Sequence, residues 1–400
     1  MKPAPRRILT RTVLLLGMVS LFTDMASEML YPVMPLYLES IGFGVVGIGL
    51  LEGIAQATAG LSKGWFGQLS DRSGRRLPFV QWGYALSAIS KPLMAIWTAP
   101  LWVLFARTLD RLGKGVRTGA RDALLSDEAT PATKARVFGF HRGMDTLGAA
   151  LGPALALLFL VQWPGQYIWL FYIAFVPGVL AVLTTFFLRE KPRPATAPGK
   201  PRPGFFSFVK YALGAAREYR RLLTGLLLFA LINSSDFFLL LMLKHQGISD
   251  QVLIGVYIFY NLSYAAASYP AGIIADRWGI RRTFISGLII FSLVYAGMTR
   301  AGGWLEFGLI FLLYGFYAAA TEGMAKAWIS NIAKREETAT AIGTYEALRS
   351  VATLLASSLA GLIWYSLGPV WLFGITAVAA LLLALLFAVY VPPPAKPGTA

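Results

Sequence analysis

The chain has 400 residues, 56% of them hydrophobic and 14% charged, against about 25% charged in a water-soluble globular domain. The charges gather between long apolar runs instead of alternating with them, which excludes a disordered chain and a soluble enzyme core. Lys and Arg number 36 against 20 Asp and Glu; in a chain this apolar the excess points to the cytoplasmic loops of an integral membrane protein, not to nucleic acid.

Taken in order, the first apolar run, near 12–38, has no small-residue cleavage site and reads as a retained span, not a signal peptide. Its Asp24 and Glu28 stand at i, i+4 on one helical face, just before Tyr31-Pro32 and Pro35, which should kink the helix. Two carboxylates so close repel, and a carboxyl that changes charge as exposure switches is what proton coupling requires. Permanent pairing with Arg111 or Arg142 is the alternative. The run near 45–69 repeats the spacing with Glu52 and Gln56. It ends in Gly67-Gln68-Leu69-Ser70-Asp71-Arg72-Ser73-Gly74-Arg75-Arg76. There Gly74 should turn the chain so that Asp71 and Arg75 or Arg76 close a salt-bridge latch, with Asp127 as partner across the helix gap.

Runs near 78–97 and 100–125 follow. The second carries Arg107, Asp110, Arg111, Lys114, Arg117, Arg121 and Asp122, which at 100° per residue fall within an arc of about 140°. A face so charged cannot meet lipid. It should line a central cavity and leave positive potential for an anionic or carboxylate-bearing solute, or else pair internally with Asp24, Glu28 and Asp145. The runs near 138–161, which holds His141, Arg142 and Asp145, and 167–188 complete an N-terminal bundle over 1–188.

Residues 189–221 form a basic, Pro-rich linker whose later part, Phe205 to Arg221, is expected to lie on the membrane as an amphipathic helix. Runs near 222–243, 252–274, 283–300, 305–331, 341–366 and 369–391 make a second bundle over 222–391, followed by a cytoplasmic tail at 392–400. Asp236 is the isolated acid of span seven, beside Asn233, Ser234 and Ser235. Glu322 with Lys326, and Glu346 with Arg349, are spaced to pair locally; Glu322 is also a candidate substrate contact. Tyr31, Tyr260, Tyr264 and Tyr314 are candidates for a cavity wall. Within the spans there are nine acids and nine bases, each costing roughly 2.5–3.5 kcal/mol at a helix centre unless paired, hydrated or used. The absence of Cys and the presence of only His141 and His245 leave no thiolate or clustered imidazole donors, so neither a metal nor a cofactor is expected.

With both termini cytoplasmic, inside segments carry 25 Lys and Arg, and outside loops only Lys244 and Arg300, as the positive-inside rule demands. The halves repeat. The 67–76 run is echoed by Gly272-Ile273-Ile274-Ala275-Asp276-Arg277-Trp278-Gly279-Ile280-Arg281-Arg282 at an offset of 205, and Ala135-Arg136-Val137-Phe138-Gly139 by Ala339-Thr340-Ala341-Ile342-Gly343 at 204. Repeated halves place a substrate site near the bilayer midplane, where rocking of one against the other gives alternating access.

The 67–76 loop resembles the signature loop of the major facilitator superfamily, and 272–282 is similar to its second-half copy. Leu124-Leu125-Ser126-Asp127 with Lys134-Ala135-Arg136, and Gly148-x-x-x-Gly152-Pro153 in span five, resemble motifs of the drug-efflux-like and exporter branch. The resemblance implies an all-α membrane protein of twelve transmembrane helices in two pseudo-symmetric six-helix bundles, monomeric, in the inner (plasma) membrane. It also implies a secondary transporter, not an enzyme. The combined expectation is proton-coupled export of a small organic anionic or zwitterionic solute, with a divalent-cation exporter and a lipid or lysolipid translocator as alternatives. Proton coupling falls to Asp24, Glu28, Asp236 and Glu52, and substrate binding to Arg107, Arg111, Lys114, Arg142, Asp145, Tyr31 and Glu322. Gating falls to Gly67, Asp71, Arg72, Gly74, Arg75, Asp127, Asp276 and Arg277.

Overall fold

The computed structural model describes residues 8–190 and 203–391; the Lys191–Pro194 and Lys200–Arg202 stretches of the linker and the tail at 392–400 lie outside the described residues. All regular structure in the described residues is helical. The N-terminal half comprises α1 (Arg11–Leu30) with α2 (Met34–Ser40), α3 (Val45–Ser73), α4 (Leu77–Ile96), α5 (Pro100–Glu128), α6 (Lys134–Gln162) and α7 (Tyr167–Thr185). After α8 (Ser207–Gly214), the C-terminal half comprises α9 (Arg217–Ile232) with α10 (Phe237–His245), α11 (Asp250–Trp278), α12 (Ile280–Met298), α13 (Trp304–Ile332), α14 (Thr338–Leu367) and α15 (Pro369–Val389). Counting α1 with α2 and α9 with α10 as single crossings gives the twelve-span, two-bundle architecture.

Nine of the crossings are apolar enough by length and composition alone to span a membrane. The other three are α3, α4 and α5. The charged face of α5 explains its place there: among its buried residues are Arg107, Asp110, Arg111, Arg117 and Asp122, so it is covered by protein and not by lipid. Several helices have 29 residues, or about 44 Å of rise, longer than the ~30 Å hydrocarbon slab. Their polar ends therefore reach the interface.

The first crossing of each half is broken at nearly equivalent positions by different chemistry. Between α1 and α2 the interruption follows Tyr31-Pro32, and Pro35 opens α2. Between α9 and α10 it falls at Asn233-Ser234-Ser235-Asp236, side chains that compete with the backbone for hydrogen bonds and disfavour a helix interior. This second break puts Asp236 beside the space between the halves.

The expected surface helix is shorter, and one face of it packs on α3. Helix α8 ends at Gly214, Ala215 is extended, and Arg217 already starts span seven, so Arg217, Arg220 and Arg221 belong to that crossing. Phe208 is buried and packs where a Cβ on Gly64 would stand. Trp65 Nε1 donates to the Pro203 carbonyl at 3.0 Å, and Ser207 Oγ donates to Gln68 Oε1.

The halves join through two symmetry-related crossings, α3 on α14 and α6 on α11. Each is made by glycines. A Cβ on Gly67 would strike the Ala339 carbonyl and one on Gly343 the Lys63 carbonyl; on the other side Gly139 meets Ser268 and Gly272 meets Ala135. Along α3 the seven-residue series Gly67, Gly60, Gly53 faces one direction. A Cβ would collide with backbone at Gly67 and with the Ser350 side chain at 2.6 Å at Gly60, and would meet nothing within 4 Å at Gly53. The helices are pressed together at the end carrying the 67–76 loop and diverge away from it, which opens a cavity between the bundles.

Candidate functional site

Three layers stack from the loop end inward. In the outermost, Gly74 takes a left-handed conformation, φ 67°, that ends α3 and reverses the chain. Arg76, 1% exposed, then returns to bridge Asp71 at 2.9 Å and Asp127 at 2.5 Å. The latch thus uses Arg76, whereas Arg75 is exposed and makes no ion pair among the described residues. Arg76 also donates to the Arg335 carbonyl at 3.1 Å, and Arg335 reaches Asp127 at 3.3 Å, tying the halves together. The other Asp71 oxygen accepts from the Thr340 backbone N–H (2.7 Å) and hydroxyl (2.9 Å) in the first turn of α14. In the mirror position Asp276 accepts from the backbone N–H groups of Ala135 and Arg136 (3.1 and 3.2 Å) in the first turn of α6, and pairs with Arg136 Nε at 2.7 Å. Each loop aspartate therefore caps a helix of the opposite half, where unpaired N–H groups and the helix dipole both favour a carboxylate. Arg72 is half-buried beside this layer and Arg277 is exposed.

The second layer is ionic. Asp122 on α5 pairs with Lys326 on α13 at 2.8 Å and with Arg121 at 2.8 Å. Residues 122 and 326 are 204 apart, the offset of the repeat, so equivalent positions of the two halves pair with each other across the pseudo-twofold axis. Glu346 on α14 takes Lys63 of α3 at 2.9 Å, Lys326 at 3.5 Å and Arg349 at 3.7 Å. Glu322 is held by both guanidinium nitrogens of Arg349. The local pairing expected of Glu322 with Lys326 is thus replaced by Glu322 with Arg349 and Lys326 with Asp122. Spacing along one helix carries no information about what faces it from the other half.

Above this floor lies a cavity of about 370 Å³ whose lining includes Asp24, Glu28, Lys114, Arg142, Asp145, Asp236 and Glu322. Asp145 accepts from Ser20 Oγ at 2.5 Å and pairs with Arg142 at 2.7 Å. Asp24, on the neighbouring α1, lines the same cavity. Arg142 Nε donates to Tyr264 Oη across the halves at 2.5 Å. On the opposite wall Tyr314 Oη donates to Asp236 at 2.6 Å. Among the described residues Asp24, Glu28, Asp236 and Lys114 line the cavity without an ion pair within 4 Å. Gly148 and Gly152 of α6 abut the α1 backbone at Leu21, Met25 and Met29, a contact that fixes the Asp24–Asp145 approach.

Other expected site residues lie elsewhere. Arg107 is sealed against Glu52 (2.7 and 3.0 Å) and lies 3.6 Å from Asp110, which is bound by Lys91 at 2.8 Å. Arg107 and Glu52 therefore satisfy each other outside the cavity, so α3 neutralises one base of α5, while Lys91 of α4 takes up Asp110 and leaves the positive surplus of α5 in place. Arg111 is buried, and its Nε has no hydrogen-bond partner. Tyr31 is 51% exposed at the break in the first crossing. Tyr260 and Tyr264 line the cavity, as does Tyr257, which no sequence signal distinguished.

The family model of the Major Facilitator Superfamily matches residues 16–261 and 237–400. An uncharacterized MFS-type transporter of Methanocaldococcus jannaschii is 32% identical over 386 residues, 95% of each chain. A protein named as a homolog of the multi-drug resistance efflux pump PmrA, from Lactococcus lactis, is 23% identical over 79% of this chain and 78% of its own. Among solved structures the human organic anion transporter MFSD10 (TETRAN) superposes with a TM-score of 0.81 at 18% identity, covering 94% of this chain and 99% of that one. That likeness is one of fold.

Proposed function

The chain belongs to the major facilitator superfamily, and on that premise we propose that it is a proton-coupled exporter of a small zwitterionic or anionic organic solute, working by alternating access in the inner membrane with both termini cytoplasmic. The single observation that carries the coupling is the unequal pairing of two carboxyl groups that border one cavity: Asp145 is held by Arg142 and Ser20, whereas Asp24 has no ion pair within 4 Å among the described residues. A carboxylate at membrane depth without a counter-ion is costly, and taking up a proton removes that cost. Asp24 is therefore the group we assign to carry it. A solute carboxylate drawing Arg142 away from Asp145 changes the balance between the two acids, linking the solute and proton fluxes.

The closed loop end, cytoplasmic by the positive-inside rule, supports reading this state as sealed from the cytoplasm. Export is supported by the Gly148/Gly152 contact in span five and by the efflux names of distant relatives. The divalent-cation reading needs three converging donors. Among the described residues no such group forms, and Asp236 stands on the other half from Asp24 and Glu28.

The test uses proteoliposomes containing pyranine, to which candidate amino-acid derivatives and organic anions are added. The expected result is solute-dependent proton movement in the wild type, lost in Asp24→Asn, with solute exchange retained. Normal proton movement in Asp24→Asn would overturn the assignment.

A further inference from the structure

We propose that the C-terminal wall of the cavity is a subsite for a methylated ammonium head group, formed by Asp236, Tyr257 and Tyr260 and positioned by Tyr314, with Lys114 on the opposite wall receiving the carboxylate of the same solute. This rests on the transport reading above and narrows its substrate class to zwitterions with separated charges.

The argument begins from charge pairing. Each arginine near Asp236 is already engaged: Arg142 by Asp145, and Arg349 by Glu322. Among the described residues Asp236 itself has one side-chain partner, the neutral Tyr314 hydroxyl at 2.6 Å. The second carboxylate oxygen has no partner among them, and the residue borders the cavity. A carboxylate at membrane depth without a counter-ion is costly, and the cation it lacks is most simply the cargo.

The neighbouring surface fits that cargo. The Tyr260 and Tyr314 rings lie 4.9 Å apart, and Tyr257 and Tyr260 lie 6.4 Å apart, tilted at 34° and 51°. Tyr257 and Tyr260 both border the cavity. Ring faces with one carboxylate and few further acceptors suit a tertiary or quaternary ammonium, whose charge is spread over methyl groups. A guanidinium would leave most of its donors unmet. The break between α9 and α10 brings Asp236 to this surface. On α5, Lys114 borders the same cavity from the other half and has no carboxylate within 4 Å among the described residues. A zwitterion spanning the two would bridge the halves.

The test measures binding by calorimetry on the purified full chain in detergent, using γ-butyrobetaine and 5,5-dimethylhexanoate, which differ only by N⁺ against carbon. Choline and 3,3-dimethylbutan-1-ol form the second pair. The expected result is tighter binding of the ammonium member of each pair by about tenfold or more. Asp236→Asn should bring both ratios to near one without weakening 5,5-dimethylhexanoate. Lys114→Met should weaken γ-butyrobetaine and leave the choline ratio intact. If Asp236→Asn does not purify as a monodisperse protein, Tyr260→Leu takes its place with the same expectation. Wild-type ratios near one, no binding of γ-butyrobetaine or choline at millimolar concentration, or ratios that survive Asp236→Asn or its Tyr260→Leu substitute would overturn the subsite. The two readings fail separately. Proton movement persisting in Asp24→Asn removes the coupling assignment and leaves the binding ratios standing, whereas coupled transport with ratios of one removes the subsite alone.

Discussion

Neutralising either member of the Asp122–Lys326 pair should shift the protein away from the state closed at the loop end. Removing one partner of a buried ion pair costs about 3–5 kcal/mol when the other is stranded. Here each survivor has a fallback: Asp122 keeps Arg121 at 2.8 Å and Lys326 keeps Glu346 at 3.5 Å. The expected cost to the closed state is therefore nearer 2 kcal/mol, about a 30-fold change in the closed-to-open ratio. The reversed pair, Asp122→Lys with Lys326→Asp, should not rescue, because it sets Lys beside Arg121 and Asp beside Glu346. The double neutral variant Asp122→Asn with Lys326→Met should cost less than the two single changes combined. The chain has no cysteine, so spin labels can be introduced at Ser73→Cys and Glu336→Cys, both exposed and on opposite halves of the loop end. Electron–electron distances should be short in the wild type and gain a longer population in each single variant. An unchanged distribution in both, or full rescue by reversal, would refute the account of this layer.

Three further outcomes follow from the same geometry. Arg76→Met should open the loop end in the same distance assay, whereas Arg75→Met, at an exposed position, should alter stability by no more than about 0.5 kcal/mol. Gly67→Leu should prevent the close crossing with α14 and lengthen the Ser73–Glu336 distance, since the added side chain meets backbone and not a movable neighbour. Glu52→Gln should leave the buried Arg107 with Asp110 at 3.6 Å as its remaining ion-pair partner and lower stability by about 2 kcal/mol, while leaving the proton-to-solute ratio measured with pyranine unchanged.

The bundle architecture was legible because it is written in local signals: apolar runs of membrane length, and loops repeated at an offset of 204–205. The kink after Tyr31 was readable from its prolines. The matching break at Asn233–Asp236 was not read as one, because Asn and Ser weaken a helix without forbidding it. The latch was legible as a motif, but which arginine closes it depends on the turn at Gly74, which directs residue 76 inward and 75 outward. Charge partners were the least legible. Arg107 finds Glu52, Lys326 finds Asp122 and Lys63 finds Glu346 on other helices, and their approach depends on glycine-packed crossings that no single-helix periodicity encodes. The repeat offset between Asp122 and Lys326 was the one sequence signal that pointed to the central pair.

The central claim is that Asp24 carries a proton which the cavity exchanges as it switches sides. Solid-supported membrane electrophysiology on reconstituted protein tests it directly, by recording the charge displaced on a pH jump with no solute present. The account predicts a transient current in the wild type that is absent in Asp24→Asn and retained in Glu52→Gln, where the titrating group is untouched. A transient of wild-type size in Asp24→Asn would contradict it.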